Sequence, residues 1–243
     1  MSRPVAIPYS QTDVLDFLCS LGQDLEEVTG GSIPESSRVY ACQAIEQHPG
    51  TRPVYGLHVG NFVGVSLCHF TNFVRQLDES STIVSIDPNL PHRGIHHPMD
   101  SVIRCLNRYG LQGNSLILTG YSLEKSVSND GVPVADYDPG VEFSREQSCE
   151  NQLPQLVRIL PASFDFAVID SNHEERYLTS EIEAIGRLLK TGGLLILDDV
   201  DWDELGKVYR GIDLARYDNL GTDGRIGLLR KKPETVRSGS VVE

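Results

Sequence analysis

The sequence has no long apolar run, few cysteines and little positive charge. No apolar stretch of its 243 residues approaches the roughly 20 residues that a membrane-spanning helix needs. Residues 1–10 contain no basic segment followed by an apolar one, so we expect no secretory signal. The five cysteines are dispersed without a C-x-x-C pair, which argues against a disulfide framework and a zinc site. These absences favour a cytoplasmic protein.

Positive charge is scarce throughout the chain. Lys and Arg number 21 against 34 Asp and Glu, for a formal net charge of −13. A nucleic-acid groove requires a basic stripe, and the one dense basic run, at 230–232, should only close the last strand. We therefore expect neither a nucleic acid nor a membrane as partner. The 40% hydrophobic content suffices for the core of one α/β domain.

Two helical segments come before the first predicted strand. Apolar residues at helical spacing predict one helix over 11–28, with Thr12 or Asp13 as its cap and Gly30-Gly31 as its stop. A second helix is predicted over about 35–47. We assign residues 1–50 to an N-terminal helical extension. Its expected role is packing, with a lid or the face of a homodimer as the alternative.

Strand and helix patterns alternate from residue 51 onward. Strands are predicted over 54–59, 82–86, 115–119, 164–169, 194–197 and 225–230, and helices over 65–77, 98–109 (with Val102, Ile103 and Leu106 inward), 175–190 and 203–214. Such alternation indicates βαβ units. We predict a Rossmann-like, doubly wound α/β fold: a mostly parallel seven-stranded sheet with an antiparallel last strand, paired with residues near 216–220. This domain spans 51–232, and a flexible tail covers 233–243.

Residues 124–160 interrupt the alternation. They are polar, rich in acids and contain the turn sequence Asn129-Asp130-Gly131. A long insertion at the ligand edge of an α/β sheet is usually a functional loop or a disordered segment. We expect a mobile lid over a substrate, with disorder as the alternative.

A glycine-containing turn follows the first strand. Residues 58–66, HVGNFVGVS, place Gly60 and Gly64 between strand and helix. A turn without side chains at the carboxyl end of a parallel strand lets a ligand lie against the backbone. The G-x-x-x-G spacing differs from the G-x-G-x-x-G of dinucleotide enzymes, which disfavours a nicotinamide-dependent oxidoreductase. The alternative is that both glycines serve only the turn.

Polar residues also follow the later strands, whose carboxyl ends should meet at one crevice. Asp87 could accept hydrogen bonds from the two hydroxyls of a ribose, or it could cap a turn or helix. Gly120, Tyr121 and Ser122 follow the third strand, where an aromatic ring and a hydroxyl could contact an adenine.

Three acids, Asp170, Asp198 and Asp199, end two adjacent strands. Close carboxylates repel one another and raise one another's pKa unless a cation lies between them, and their hard oxygens suit Mg²⁺. The alternative is that some of them cap the following helix. His173 lies three residues after Asp170, and its ordinary pKa near 6.5 suits proton removal at neutral pH. Its alternative place is a solvent-facing turn.

Four segments together resemble a known enzyme family. They are HVGNFVGVS (58–66), SIDP (85–88), FDFAVIDSNHEERY (164–177) and LLKTGGLLILDDVDW (188–202). The chain resembles class I S-adenosylmethionine-dependent methyltransferases, above all the metal-dependent small-molecule O-methyltransferases of the catechol and macrolide-sugar types. The resemblance covers roughly residues 54–230. It implies S-adenosyl-L-methionine and a divalent metal, most simply Mg²⁺, as cofactors.

The resemblance also implies a role for each matching residue. The predicted cofactor-binding set is His58, Gly60, Asn61, Gly64, Ser66, Asp87, Gly120, Tyr121 and Ser122; the predicted metal ligands are Asp170, Asp198 and Asp199; the predicted base is His173. Two positions depart from the family pattern. His58 stands where the family usually has an acid, which weakens the contact to the cofactor's amino group. Asp198-Asp199 replaces the Asp-Asn of catechol-type members, which favours the sugar or natural-product branch.

We therefore predict a metal-dependent O-methyltransferase that acts on a hydroxyl of a small natural product or sugar. The metal would lower the pKa of the hydroxyl, His173 would take its proton, and the alkoxide would attack the methyl carbon. Two alternatives remain open: a metal-independent N- or C-methyltransferase, and a non-catalytic cofactor-binding partner subunit in which His58 marks a degraded site.

Overall fold

The computed structural model describes residues 9–47, 50–123, 151–171 and 173–233. This part of the chain forms one seven-stranded sheet in the order β3-β2-β1-β4-β5-β7-β6. The strands are β1 (Tyr55–Val59), β2 (Thr82–Asp87), β3 (Ser115–Thr119), β4 (Phe164–Ile169), β5 (Leu189–Leu197), β6 (Tyr217–Thr222) and β7 (Gly227–Lys231). Strands β1 to β5 are parallel, and β7 is antiparallel to both of its neighbours. The predicted Rossmann-like doubly wound fold is confirmed.

Helices cover both faces of the sheet, and each face has its own core. The described helices are α1 (Gln11–Ser20), α2 (Leu25–Gly30), α3 (Glu35–Gln47), α4 (Val65–Leu77), α5 (Pro98–Arg108), α6 (Gln152–Ile159), α7 (Glu175–Leu188) and α8 (Asp203–Arg210). Helices α1 to α5 pack on one face, and α6 to α8 on the other. Among the described residues, none of these helices has the length and apolar character to cross a bilayer.

The N-terminal segment folds as three helices where the sequence predicted two. A single helix over 11–28 is wrong, because the chain turns at Gly22, whose φ is +86°. The carboxylate of Asp24 then accepts the N–H groups of Glu26 and Glu27 and starts α2. Ser10 caps α1 in place of the predicted Thr12 or Asp13. These helices share a core with α4 and α5, so packing is a role that the structure shows for them.

Other helix predictions needed smaller corrections. Ile103 was predicted to face inward, but its side chain is 46% exposed while Val102 and Leu106 are buried. At 100° per residue, position 103 leaves the buried stripe of α5. The predicted helix over 175–190 ends at Leu188, because Leu189 already pairs with β4. The helix predicted over 203–214 ends at Arg210, before Gly211.

The predicted 124–160 insertion lies mostly outside the described residues, and its role as a lid stays a prediction. Its last part is wrong as an insertion, because residues 152–159 form α6. Leu153 and Leu156 of α6 are buried in the core against α7. Helix α6 thus leads into β4 as part of the ordinary strand–helix–strand connection. From residue 234 onward, the predicted tail also lies outside the described residues.

Candidate functional site

The ends of the parallel strands meet at one edge of the sheet. The backbone N–H groups of Gly60, Gly120, Asp170 and Asp198 each donate to a residue at the end of a neighbouring strand, at 2.9–3.1 Å. The hydrogen-bond ladder therefore continues into the loops that carry the predicted site residues. This places residues more than a hundred positions apart in the sequence side by side, as their positions after parallel strands predicted.

A cavity opens at this edge of the sheet. Seven of the predicted site residues line it: Gly60, Asp87, Tyr121, Ser122, Asp170, His173 and Asp199. The same cavity is lined by residues from the N-terminal segment and by Arg225, just before β7, which the sequence interpretation did not include. The loops after β1, β2, β3, β4 and β5 therefore enclose a common space with the N-terminal segment.

The other predicted residues lie behind the cavity wall: His58, Asn61, Gly64, Ser66, Gly120 and Asp198. His58 is buried in β1 with its ring 5.9 Å from that of Phe70 in α4. Burial lowers the pKa of His58 to about 4, so its imidazole is neutral at pH 7. The side chain of Asn61 is also buried and donates to Oγ of Ser85 at 2.9 Å. The side chains of these two residues thus contact the protein interior.

The glycine turn is required by the packing of the backbone. Gly60 and Gly64 have φ values of +89° and +93°, a region that residues with a side chain rarely adopt. A Cβ at Gly60 would lie 1.5 Å from the carbonyl oxygen of Asp170, and one at Gly64 would lie 3.1 Å from Cα of Val102. Both glycines are therefore needed for the turn itself. Gly60 also lies on the cavity wall, where the sequence predicts a ligand.

Asp87 ties the glycine turn to the end of β2. One carboxylate oxygen accepts the backbone N–H groups of Asn61 and Phe62, and the other accepts that of Asn89. Burial raises the pKa of Asp87, and these three N–H groups oppose the rise. The carboxylate thus caps two turns and also faces the cavity, so both of its predicted roles are compatible with its position.

The three predicted metal ligands converge. Asp170, Asp198 and Asp199 each offer one carboxylate oxygen within 4.8 Å of the others. Burial, and then the charges of the two neighbouring acids, raise the pKa of Asp170 well above its usual range. Burial also raises the pKa of Asp198. Such a cluster needs a positive charge nearby to stay ionised.

That charge comes from Arg225, which the sequence interpretation missed. Its Nε and Nη2 donate to the two oxygens of Asp198 at 3.0 and 2.8 Å. Nη2 also lies 2.8 Å from Oδ1 of Asp199, a charge contact without the direction of a hydrogen bond. Burial works against the charge of Arg225, but Asp198 and Asp199 raise its pKa overall. No local sequence pattern pointed to Arg225, because the antiparallel pairing of β5 with β7 that brings it beside Asp198 was not part of the predicted pairing with residues near 216–220.

His173 lies on the cavity wall, paired with the same acidic cluster. Its Nε2 is 2.8 Å from Oδ2 of Asp199. Its ring stacks on Trp202, with centroids 4.6 Å apart and an interplanar angle of 23°. A turn that begins at Asp199 positions Trp202. The backbone N–H of Trp202 donates to the backbone carbonyl of Asp199 at 2.9 Å. The imidazole is therefore held by a carboxylate and by an indole face, although its side chain is 31% exposed.

The sequence interpretation also missed a buried acid, Glu181, behind the cavity wall. Glu181 of α7 is fully buried and accepts hydrogen bonds from the hydroxyls of Ser122 and Ser171, the latter at 2.8 Å. The hydroxyls of Ser122 and Tyr177 are 2.9 Å apart. Burial raises the pKa of Glu181 to about 7. An acid within the apolar stripe of α7 was the sequence signal for this network.

The N-terminal segment completes the outer part of the cavity. Gly30 and Gly31 line it together with Phe62, His92 and Arg93. The guanidinium of Arg93 is 3.5 Å from the carboxylate of Glu27 in α2. The helices before the sheet therefore contact the loops after β1 and β2 at the outer part of the cavity.

Comparisons with known proteins agree with this fold. Residues 57–200, more than half of the chain, match a family model described as a methyltransferase domain. An O-methyltransferase from Bacillus cereus, solved in complex with SAH, is 13% identical with a TM-score of 0.59, over 94% of each chain. The SAH-bound Podospora anserina methyltransferase PaMTH1 is 13% identical with a TM-score of 0.59, over 94% of this chain and 90% of that one. No curated protein matches the sequence.

Proposed function

This chain belongs to the methyltransferase-domain family and has the fold of class I, S-adenosylmethionine-dependent methyltransferases, and from this premise we propose that it methylates a hydroxyl oxygen of a small molecule. The observation that carries the proposal is the pair of His173 and Asp199, whose side chains are 2.8 Å apart on the wall of the cavity that Gly60 and Asp87 also line. The proposed base and the glycine turn that would hold the cofactor therefore line the same cavity.

S-adenosyl-L-methionine would lie along the glycine turn. The Gly60 backbone lines the cavity without a side chain, and the Asp87 carboxylate lies beside it, where it can accept the hydroxyls of a ribose. Ser122 and Tyr121 line the adjoining wall after β3, on the side proposed for the adenine. Two similar structures are described as bound to SAH, which supports this choice of cofactor.

His173 would remove the proton of the acceptor hydroxyl. When Nε2 donates its hydrogen to Asp199, Nδ1 carries the lone pair that can accept that proton. Asp199 then stabilises the imidazolium that forms, and the stacked Trp202 keeps the ring in place. A hydroxyl requires such a base before it attacks, whereas a neutral amine already has a free lone pair. The His173–Asp199 pair therefore favours O-methylation over N-methylation. An intact base also argues against a non-catalytic subunit.

The family resemblance also implies a divalent cation, and the residues of the site suit such an ion only in part. Three carboxylate oxygens within 4.8 Å are suitable hard donors for Mg²⁺. However, Arg225 bonds both oxygens of Asp198, and Arg225 and His173 contact both oxygens of Asp199. A metal would have to replace these contacts, so the proposed proton transfer involves His173 and Asp199 alone. A natural-product or sugar acceptor, a homodimer and a cytoplasmic location stay predictions.

Two measurements test this function. Isothermal titration with S-adenosylhomocysteine should show binding, and NAD should not bind. Methyl transfer from labelled S-adenosyl-L-methionine should then be followed with pairs of small acceptors that differ only in carrying a hydroxyl or an amine. Transfer to the hydroxyl member, lost in His173→Ala, supports the proposal. Binding of NAD alone, or transfer only to amines, would overturn it.

A further inference from the structure

We propose that Arg225 is the resident cation of the acidic cluster, so that methyl transfer runs without a divalent ion and a metal site appears only when Arg225 is removed. The part about methyl transfer rests on the proposed function above. The part about cation binding does not, because it concerns only Asp170, Asp198, Asp199 and Arg225.

The first support is the geometry of the ion pair. The guanidinium meets Asp198 with two nitrogens, at 3.0 and 2.8 Å, and the second nitrogen also lies 2.8 Å from Asp199. The side chains of Asp198 and Asp199 are only 1% and 7% exposed, so Arg225 and not bulk water is their main polar partner. A planar guanidinium that donates to both oxygens of a carboxylate makes one of the strongest charged hydrogen-bond arrangements in proteins. The guanidinium also stays protonated at any ordinary pH.

The second support is that the backbone holds Arg225 in this position. Leu197 of β5 pairs with Gly227 of β7, and beyond this pair the N–H of Val200 donates to the carbonyl of Arg225 at 2.9 Å. The carboxylate of Asp223 accepts the N–H of Arg225 at 3.0 Å. The arginine therefore extends from a hydrogen-bonded hairpin at the end of the sheet and is not a loose surface side chain.

The third support is competition for the same oxygens. A metal ion would need an oxygen of Asp198, and Arg225 donates to both of them. The ion would have to approach to the short distances of about 2.0–2.1 Å that Mg²⁺ requires. Two cations in one space repel each other, so the ion could bind only if the guanidinium moved out. Its removal would leave the buried Asp198 without its partner. Arg225 therefore acts as a positioning residue that holds the Asp199 carboxylate in line with His173.

The test compares three forms of the full chain: the native protein, Arg225→Met and Arg225→Lys. Methionine has a stem without charge, and lysine keeps the positive charge as the matched control. Each form is stripped of metal, checked for folding by circular dichroism and titrated with Mn²⁺ in a calorimeter. Arg225→Met should bind Mn²⁺ at least about tenfold more tightly than the native protein and Arg225→Lys. Methyl transfer by the native protein should be unchanged in excess chelator.

The outcomes separate this inference from the proposed function. Loss of native activity in chelator with recovery on adding Mg²⁺ would overturn it, as would native Mn²⁺ binding equal to that of a folded Arg225→Met. Should Arg225→Met fail to fold, the chelator experiment on the native protein still decides the matter. Failure to bind S-adenosylhomocysteine would instead refute the proposed function, and the Mn²⁺ titrations would keep their meaning.

Discussion

The carbonyl oxygen of Asp170 lies where a side chain of residue 60 would begin: a Cβ on Gly60 would be 1.5 Å from it. The N–H of Asp170 donates to the carbonyl of Val59, so the ends of β1 and β4 are in direct contact at this point. Glycine at position 60 is thus required by the sheet itself. A variant with a side chain at this position should lose stability as well as cofactor affinity.

Gly60→Ala should destabilise the fold more than Gly22→Ala does. Both glycines have a similar positive φ, of +89° and +86°, but a Cβ at Gly22 would meet no atom within 4 Å. Gly22→Ala should therefore lower the free energy of unfolding by about 1–2 kcal/mol, the strain of placing a residue with a side chain in the left-handed backbone conformation. Gly60→Ala adds steric overlap and should cost about 3 kcal/mol or more. Chemical denaturation of both variants measures the difference, and equal losses would contradict this packing argument.

Asp87→Ala should weaken the binding of S-adenosylhomocysteine by roughly 1.5–3 kcal/mol, the value of hydrogen bonds to a charged group. It should also lower stability, because three backbone N–H groups lose their acceptor. Isothermal titration on the folded variant measures the affinity, and Asp16→Ala, which removes an exposed acid from α1, is the control. Unchanged affinity with reduced stability would leave Asp87 with the capping role alone.

His173→Ala should lower turnover by about 10²–10⁴-fold, the usual contribution of a positioned general base. Cofactor affinity should change little, because His173 contacts Asp199 and Trp202. His96→Ala, which removes an exposed histidine, serves as the control. A fully active His173→Ala enzyme would exclude His173 as the base.

Glu181 should make stability depend on pH. Burial raises its pKa from the ordinary 4.5 to about 7, so between these values the folded protein binds more protons than the unfolded chain. The stabilisation from this group is therefore complete below pH 4.5 and is lost as the pH rises through 7. The loss amounts to about 3 kcal/mol at 1.36 kcal/mol per pKa unit.

Glu181→Gln should remove that dependence. The free energy of unfolding of the native protein should fall relative to that of the variant between pH 5 and pH 8. Urea denaturation at both pH values measures this difference. Glu183→Gln, two residues away on the exposed side of α7, should behave like the native protein. Parallel pH curves for native protein and Glu181→Gln would show that the buried acid does not titrate in this range.

The order of strands and helices, and the residues at the strand ends, could be read from the sequence. An apolar run followed by a polar residue is a local pattern, and parallel strands bring their carboxyl ends together whatever the details of packing. Hence Asp87, Asp170, Asp199 and His173 were predicted and do line one cavity. The turn at Gly22 was missed, because the apolar spacing continues through it.

The tertiary structure alone decided which way each side chain points and what it contacts. His58 lies in the same strand as the cavity residue Val59 but faces the core beneath α4. Arg225 meets Asp198 across 27 positions of sequence, because the register between β5 and β7 brings them together. Local patterns carry no information on that register. The chemistry of the acidic cluster, including which cation neutralises it, therefore depends on pairing between distant segments that only the folded chain contains.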